Sequence, residues 1–366
     1  MTEYPAFQIF NPVKVIYGVG KINVLESMAY NKPLFICDPV VEKLGVIEKI
    51  EKAFSNFFVF SEVEPNPSCE LINKIVGLYK HENIDCVIGI GGGSSLDTAK
   101  AVSSLLKSGG NITDYLLGPD KFSSRTNLVL IPTTAGTGSE VTNVGVYTYQ
   151  GLKKPMTSDT FWADVSIVDP ELTYSMPVRV TASTGLDALT HALESYWAKS
   201  SQPYTEGLAL VALKIILENL KSSINGEKIA RNNMALAATI AGIAFSQTRT
   251  TAAHAISFPL TSFYGIEHGV AVALTLPKLI HWTYPYIKSK MDALLRYLQL
   301  NSIETFSETI EKLMIVAGTS TRLRDYGVKQ EDIEKIAKVS MEANIIKLTP
   351  GDITYEDVII ILEEIY

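Results

Sequence analysis

The stretch Cys86-Val87-Ile88-Gly89-Ile90-Gly91-Gly92-Gly93-Ser94-Ser95-Leu96-Asp97-Thr98-Ala99-Lys100 decides the fold class. A short apolar run leads into consecutive glycines and then into a pattern of helical period, which reads as strand, tight turn and helix. Glycine lets the backbone come close to a ligand, and the unpaired N–H groups that open a helix attract phosphate. The spacing departs from GxGxxG because Ser94 stands at the last glycine position, and a tight structural turn would use the same residues. A second small, hydroxyl-rich loop, Ile131-Pro132-Thr133-Thr134-Ala135-Gly136-Thr137-Gly138-Ser139-Glu140, follows another apolar run. Two such loops at the carboxyl ends of strands are where an open α/β sheet binds ligands, and a dinucleotide fits them.

Outward from this point, Lys14–Tyr17, Leu34–Cys37, Phe57–Phe60, Cys86–Ile90 and Leu128–Ile131 read as buried strands. Lys21–Ala29, Cys69–Lys80 and Ser94–Leu106 read as the helices between them. That alternation predicts a parallel sheet covered by helices, a Rossmann-like dinucleotide-binding domain over residues 1–178. The Pro-marked passage from Asp169-Pro170 to Met176-Pro177 leads to a second half in which strand signals are scarce. Gly185–Ala198, Tyr204–Leu220, Ile229–Phe245, Ile303–Ala317, Lys329–Ala343 and Thr354–Glu364 carry helical patterns. Residues 179–366 are therefore expected to be all-helical, with the ligand in a cleft beside the first domain.

A chain of 366 residues with 46% hydrophobic and 19% charged residues has the make-up of a packed two-domain protein. Its net charge of −7, from 32 basic and 39 acidic residues, argues against a nucleic-acid surface or an anionic membrane as partner. Cys37, Cys69 and Cys86 form no CxxC pair, which favours a reducing compartment. Met1 to Pro12 shows no leader pattern, and the apolar stretch Met234–Phe245 is shorter than the ~20 residues a bilayer requires. The expected location is the cytoplasm.

Asp38 closes the strand Leu34–Cys37. A carboxylate there suits either a helix cap or the hydroxyls of an adenosine ribose, and in the second role it would repel a 2′-phosphate, favouring NAD over NADP. Of five histidines, His191 lies four residues after Asp187, on one face of a helix. His254 sits among small residues of a second apolar helix, and His268 lies beside glycines that suit a tight loop. One Asp and three His make a ligand set for a divalent metal, Fe²⁺ or alternatively Zn²⁺. A lone histidine in an alanine-rich helix is more often a core residue, but three beside one aspartate in a single helical half are a different matter. His81 and His281 have no such setting and read as surface or structural residues.

Together these residues resemble the iron-containing alcohol dehydrogenase family over almost the whole chain. The matching segments are Glu64-Pro65-Asn66-Pro67, Gly91–Ser94 with Asp97 and Lys100, Pro132–Glu140, Asp169-Pro170, the Asp187/His191 helix, His254, and His268-Gly269-Val270-Ala271. The likeness implies metal ligation by Asp187, His191, His254 and His268, through which the site would be catalytic. It implies a dinucleotide lined by Asp38, Asn66, Gly92, Gly93, Ser94, Asp97, Thr133, Thr134, Thr137 and Thr142, with Lys153 (or its neighbour Lys154) near the ribose. It also implies a dehydroquinate synthase-like architecture, a homodimer, and hydride transfer between nicotinamide and a small aldehyde or alcohol.

Two departures from the family pattern bear on the substrate. Phe258 stands where many members carry a histidine four residues after the third ligand, so a proton relay would run through water, the ribose, or a hydroxyl such as Thr137 or Thr142. Gln247-Thr248-Arg249-Thr250-Thr251-Ala252-Ala253-His254 places an arginine and three hydroxyls close to a ligand. Arg249 reads either as a solvated side chain or as a fork for an anionic group. The second reading resembles the branch of the family that reduces phosphonoacetaldehyde, with Arg249, Phe258 and Thr142 about the substrate. The alternatives are an NAD- and metal-dependent lyase of the dehydroquinate synthase type, and a metal-stabilised scaffold without catalysis.

Overall fold

The computed structural model describes Tyr4 and residues 6–366; Met1–Glu3, Pro5 and the side chains of Lys49 and Glu51 lie outside the described residues. Part of the Met1–Pro12 stretch read for a leader therefore falls outside them. The chain forms two compact units. One comprises Asn11–Thr134 and Gly138–Ser175; the other takes Ala135–Thr137 and Met176–Tyr366 together with the described residues before Asn11.

The first unit is built on a six-stranded sheet of β1 (Lys14–Tyr17), β2 (Pro33–Cys37), β3 (Phe58–Phe60), β4 (Cys86–Gly91), β5 (Asn127–Pro132) and β8 (Val165–Val168). The order is β1-β8-β5-β4-β2-β3, and every neighbouring pair is parallel. Helices cover both faces, so the central strands are apolar at nearly every position rather than at alternate ones. Leu34, Ile36, Val87, Leu128 and Leu130 face one core. Phe35, Ile88, Ile90, Val129 and Ile131 face the other. The helices α1 (Cys69–Tyr79) and α2 (Gly93–Ser108) follow β3 and β4.

Several elements differ from the sequence reading. Lys21–Ser27 is a 3₁₀ helix; its N-cap is Gly20, with no side-chain cap. An antiparallel hairpin of β6 (Val144–Tyr149) and β7 (Leu152–Thr157) lies outside the main sheet. Its β7 carries two lysines and a proline, which hide it from a search for apolar runs. The short strand β8, Val-Ser-Ile-Val, was masked in the same way by its polar residue.

The second unit is helical. Its first five long helices are α3 (Val178–Trp197), α4 (Pro203–Ile224), α5 (Lys228–Thr248), α6 (Ala252–Tyr264) and α7 (His268–Thr283). Glycines bring α3 close to its neighbours. A Cβ on Gly185 would strike Leu220 of α4, and one on Gly269 of α7 would strike the Ser183 carbonyl of α3. The alanine-rich α5 buries Ala237, Ala238, Ala241 and Ala244. Among the described residues no helix is long and apolar enough to cross a membrane.

Candidate metal centre and dinucleotide loops

Asp187 and His191 project from one face of α3, as their spacing requires. His254 lies in the first turn of α6. His268 is the first residue of α7, and this corrects the reading of His268 as a loop residue. The tight turn is Gly265-Ile266-Glu267, where Gly265 ends α6 in the left-handed region (φ 65). Gly269 is needed instead for the close approach to Ser183, which carries His268 up to the helix of Asp187.

Asp187, His254 and His268 converge, with His191 beside them. Asp187 Oδ1 lies 3.5 Å from His254 Nε2, 3.8 Å from His268 Nε2 and 3.7 Å from His191 Nδ1. One ligand atom from each of Asp187, His254 and His268 falls within 4.8 Å of the other two. The His191 ring lies beside this group, with Nε2 3.0 Å from His254 Nε2, and stacks on Phe245 at 4.2 Å. Asp187 Oδ1 and His191 Nδ1 are buried with no hydrogen-bond partner among the described residues. An orphaned carboxylate oxygen among imidazole nitrogens is costly unless a cation joins them. Tetrahedral ligands with bonds of about 2.1 Å lie roughly 3.4 Å apart, close to the spacings found here. The donor set, nitrogen and oxygen with no thiolate, suits Fe²⁺ or Zn²⁺.

Electrostatics support the same arrangement. Burial alone would raise the Asp187 carboxyl, but the nearby histidines outweigh it and hold the group well below the usual carboxylate range. Burial drives His191 down to about 4, against the pull of Asp187. His254 goes the other way, up to about 9, because Glu194 and Asp187 outweigh its desolvation. Glu194 is a buried residue that sequence reasoning missed. Its Oε2 lies 2.5 Å from His254 Nδ1, and its Oε1 accepts hydrogen bonds from Ala253 N (2.8 Å) and Thr251 Oγ1 (2.5 Å). A second carboxylate that fixes the tautomer of a metal-binding histidine is a common feature of such centres. The signal was present: Asp187, His191 and Glu194 follow i, i+4, i+7 along one helix face.

In the α/β unit, Asp38, the glycine turn and Thr133-Thr134 lie at the carboxyl ends of the adjacent strands β2, β4 and β5. Gly92 caps α2 without a side-chain hydrogen bond, which leaves backbone N–H groups of the first turn for a phosphate. Gly91 has φ +146, and a Cβ there would lie 2.5 Å from Ser95 Oγ and 3.1 Å from Asp38 Oδ2. Thr133 N donates to the Gly91 carbonyl at 3.0 Å. Asn66 (φ 55) sits beside the turn, its N donating to Ser94 Oγ at 3.1 Å. Asp38 caps the short helix Pro39–Lys43 through Oδ1, which accepts from Val40 N and Val41 N, and turns Oδ2 toward Gly91. The cap role is therefore present, and it leaves one carboxylate oxygen beside the turn. On β7, Lys153 is half-buried and Lys154 exposed. Thr137 groups with the helical unit, where a Cβ on its neighbour Gly136 would lie 2.6 Å from Thr184 Cβ.

The side chains of Asp97 and Thr142, which the resemblance assigns to the dinucleotide, take part in a buried network with Lys100 and Ser139. Lys100, fully buried, donates to Ser139 Oγ (2.7 Å), Thr142 Oγ1 (3.2 Å) and the Val144 carbonyl (2.7 Å). Asp97 Oδ1 accepts from Ser139 Oγ at 2.6 Å, and Oδ2 accepts from Val146 N at 2.9 Å. Burial pushes the Asp97 carboxyl up and the Lys100 ammonium down, each opposed by the other's charge. The network ties α2 to the second loop. Removing one partner of a buried ion pair costs about 3–5 kcal/mol. Lys100→Met is expected to lower urea-unfolding stability by that order, and unchanged stability would remove the clamp role.

Arg249 ends α5 with φ 66 and ψ 177, a region that non-glycine residues occupy at a cost of about 1–3 kcal/mol. Arg249 is half-buried, and desolvation draws its guanidinium below its ordinary pKa. No hydrogen bond or ion pair to that guanidinium occurs among the described residues, so it is not salt-bridged within the protein. Arg249 N donates to the carbonyl of Phe245, the residue stacked on His191. Phe258 is half-buried in α6, while His81 and His281 are exposed, as their sequence setting suggests.

Comparison with known proteins agrees with this geometry. Residues 12–170 match the family described as iron-containing alcohol dehydrogenase, and residues 181–366 match its C-terminal domain. The chain is 35% identical to long-chain-alcohol dehydrogenase 1 of Geobacillus thermodenitrificans, covering 84% of this chain and 82% of that protein. It is 32% identical to sulfoacetaldehyde reductase of Bilophila wadsworthia over 98% of both chains. The crystal structure of sulfoacetaldehyde reductase from Bifidobacterium kashiwanohense in complex with NAD⁺ superposes with a TM-score of 0.93, at 30% identity over 99% of both chains. With both halves of the chain matched, the protein belongs to the iron-containing alcohol dehydrogenase family.

Proposed function

We propose that the protein is a metal-dependent, NAD(H)-linked reductase of short aldehydes that carry an anionic group, such as a sulfonate or phosphonate. The observation that carries the substrate class is Arg249: a half-buried guanidinium with no hydrogen bond or ion pair among the described residues, held in strained backbone. A forked donor of this kind suits a sulfonate or phosphonate through paired charge-assisted hydrogen bonds. Its position, one helical turn (roughly 5.4 Å of rise) beyond the Phe245 that stacks on His191, suits a substrate with few atoms between carbonyl and anion. The similarity to two sulfoacetaldehyde reductases supports the same class.

Asp187, His191, His254 and His268 would hold the divalent cation, Fe²⁺ ahead of Zn²⁺. When bound, that cation supplies Lewis-acid polarisation of a carbonyl oxygen. Glu194 holds His254 with Nε2 turned to Asp187. Gly92, Gly93 and Ser94 would take the pyrophosphate on the first turn of α2, and Asp38 Oδ2 would favour the ribose hydroxyls of NAD over a 2′-phosphate. Asn66, Thr133, Thr134 and Lys153 would complete that surface. Phe258 offers no proton, so the alcohol proton would come from water or from the nicotinamide ribose. The likeness to the family supports a homodimer, and the three buried, free cysteines support a reducing, cytoplasmic setting.

NADH oxidation with neutral and anionic aldehydes, with and without added Fe²⁺ or Zn²⁺, tests this reading. Metal-dependent turnover that favours sulfoacetaldehyde or phosphonoacetaldehyde over propanal is expected. Equal rates on all three would remove the anionic class. Absence of net NADH consumption would restore the lyase reading, in which nicotinamide returns to its starting state.

A further inference from the structure

The turn that presents Arg249 and the histidine that faces Asp187 share one buried carboxylate. Glu194 is fully buried in α3, one helical stripe along from Asp187 and His191. Its Oε2 meets His254 Nδ1 at 2.5 Å, and its Oε1 accepts from Thr251 Oγ1, also at 2.5 Å. Thr251 is the residue at which the chain leaves the strained turn and enters α6. Its hydroxyl also accepts from Trp197 Nε1 at 3.0 Å, so both its donor and an acceptor site are used. The start of the turn hangs from the end of the same helix: Ser200 Oγ donates to the Thr248 carbonyl at 2.6 Å, and Thr248 Oγ1 donates to the Arg249 carbonyl at 2.9 Å. The backbone at Arg249 is one that an arginine adopts only when its surroundings impose it. The residues that flank it, Thr248 and Thr251, are held by Ser200 and by Glu194 of α3.

We propose that Glu194 is a positioning residue with two outputs, fixing His254 for the metal through one oxygen and fixing the Arg249 turn for the substrate anion, through Thr251, with the other. One side chain would then set metal affinity and anion preference together. The second output rests on the anionic-substrate reading above; the first does not. The arrangement also accounts for a carboxylate in a place where a neutral residue could have capped His254 alone. Three oxygen-directed donors (Thr251 Oγ1, Ala253 N and His254 Nδ1) converge on it, and a neutral amide would accept only through one of its two ends.

Four variants separate the outputs: Glu194→Gln, Thr251→Val, Thr251→Ser and Arg249→Ala. Zn²⁺ affinity is read by competition with a chromophoric chelator, and anion preference as the ratio of kcat/KM for sulfoacetaldehyde to that for propanal. Loss of an outer partner of a metal-bound histidine typically costs 10–100-fold in metal affinity, so Glu194→Gln is expected to weaken Zn²⁺ binding by about that factor. It should also lower the preference ratio. Thr251→Val is expected to keep Zn²⁺ affinity within about threefold while the ratio falls by about tenfold, the size of one lost charge-assisted hydrogen bond. Thr251→Ser, which keeps the hydroxyl, should restore the ratio. Wild-type Zn²⁺ affinity in Glu194→Gln overturns the proposal. So does an unchanged ratio in Thr251→Val when Arg249→Ala abolishes it. An unchanged ratio in Arg249→Ala instead overturns the substrate reading, and leaves the Zn²⁺ measurement to decide the metal half. Should Thr251→Val fail to accumulate, Thr251→Ala removes the same hydroxyl with less bulk.

Discussion

Asp187→Ala is expected to purify without its metal and to lose at least about 1000-fold in kcat/KM for aldehyde reduction, roughly 4 kcal/mol of transition-state stabilisation. The size follows from what Asp187 is. It is the sole carboxylate among the four side chains, and its Oδ1 faces a nitrogen of each histidine at 3.5 to 3.8 Å. Without it three imidazoles remain, with no negative charge among them to offset a dication. NADH affinity depends on the α/β unit and shares no partner with Asp187, so it should stay within about threefold. Metal analysis after anaerobic loading and a fluorescence titration with NADH read the two effects separately. Asp187→Asn, of nearly the same shape, is expected to lose metal as well, which assigns the effect to charge rather than to a cavity. A metal-free Asp187→Ala enzyme that still turns over would exclude the site as the seat of the chemistry.

Arg249→Ala is expected to cost about 100-fold in kcat/KM for sulfoacetaldehyde, as hydrogen bonds from a charged donor contribute about 1.5–3 kcal/mol. Turnover of propanal, which has nothing for the guanidinium to bind, should change by no more than about threefold. Arg249→Lys should recover only part of the loss, because an ammonium cannot make the two parallel bonds of a fork. The protein itself is not expected to suffer. The present guanidinium is desolvated without a partner, and removing it takes away an unfavourable term. Equal losses on both aldehydes would mean that Arg249 supports the turn and does not read the substrate.

Much of the architecture could be read from the residues because burial writes itself into composition. The strands β2, β4 and β5 are covered on both faces, so Leu34–Cys37, Cys86–Ile90 and Leu128–Ile131 stand out as unbroken apolar runs. The same rule hides β6 and β7, which lie outside the main sheet and carry Thr148, Lys153 and Lys154. The Asp187/His191 pair was legible because an i, i+4 spacing has one geometric meaning in a helix. His268 was harder. The flanking Gly265 and Gly269 suggested one loop, but they do unrelated things: one ends α6 with positive φ, and the other clears space against Ser183. Asp97, in the first turns of α2, and Thr142, after the second loop, have oxygens that meet Ser139 and Lys100, an internal network that the sequence does not announce. Linear sequence places a residue in a loop without saying which way its side chain points. Glu194 shared the stripe of Asp187 and went unread, since a glutamate in a helix most often faces water. The left-handed backbone of Arg249 had no signature at all.

The most direct measurement is the metal content of wild-type protein loaded anaerobically with Fe²⁺ and freed of excess by gel filtration, set beside Asp187→Ala and His268→Ala treated identically. One iron per wild-type chain, and far less in either variant, is the expected result. Iron absent from the wild type, or retained in full by both variants, would contradict the convergence of Asp187, His191, His254 and His268 on one cation.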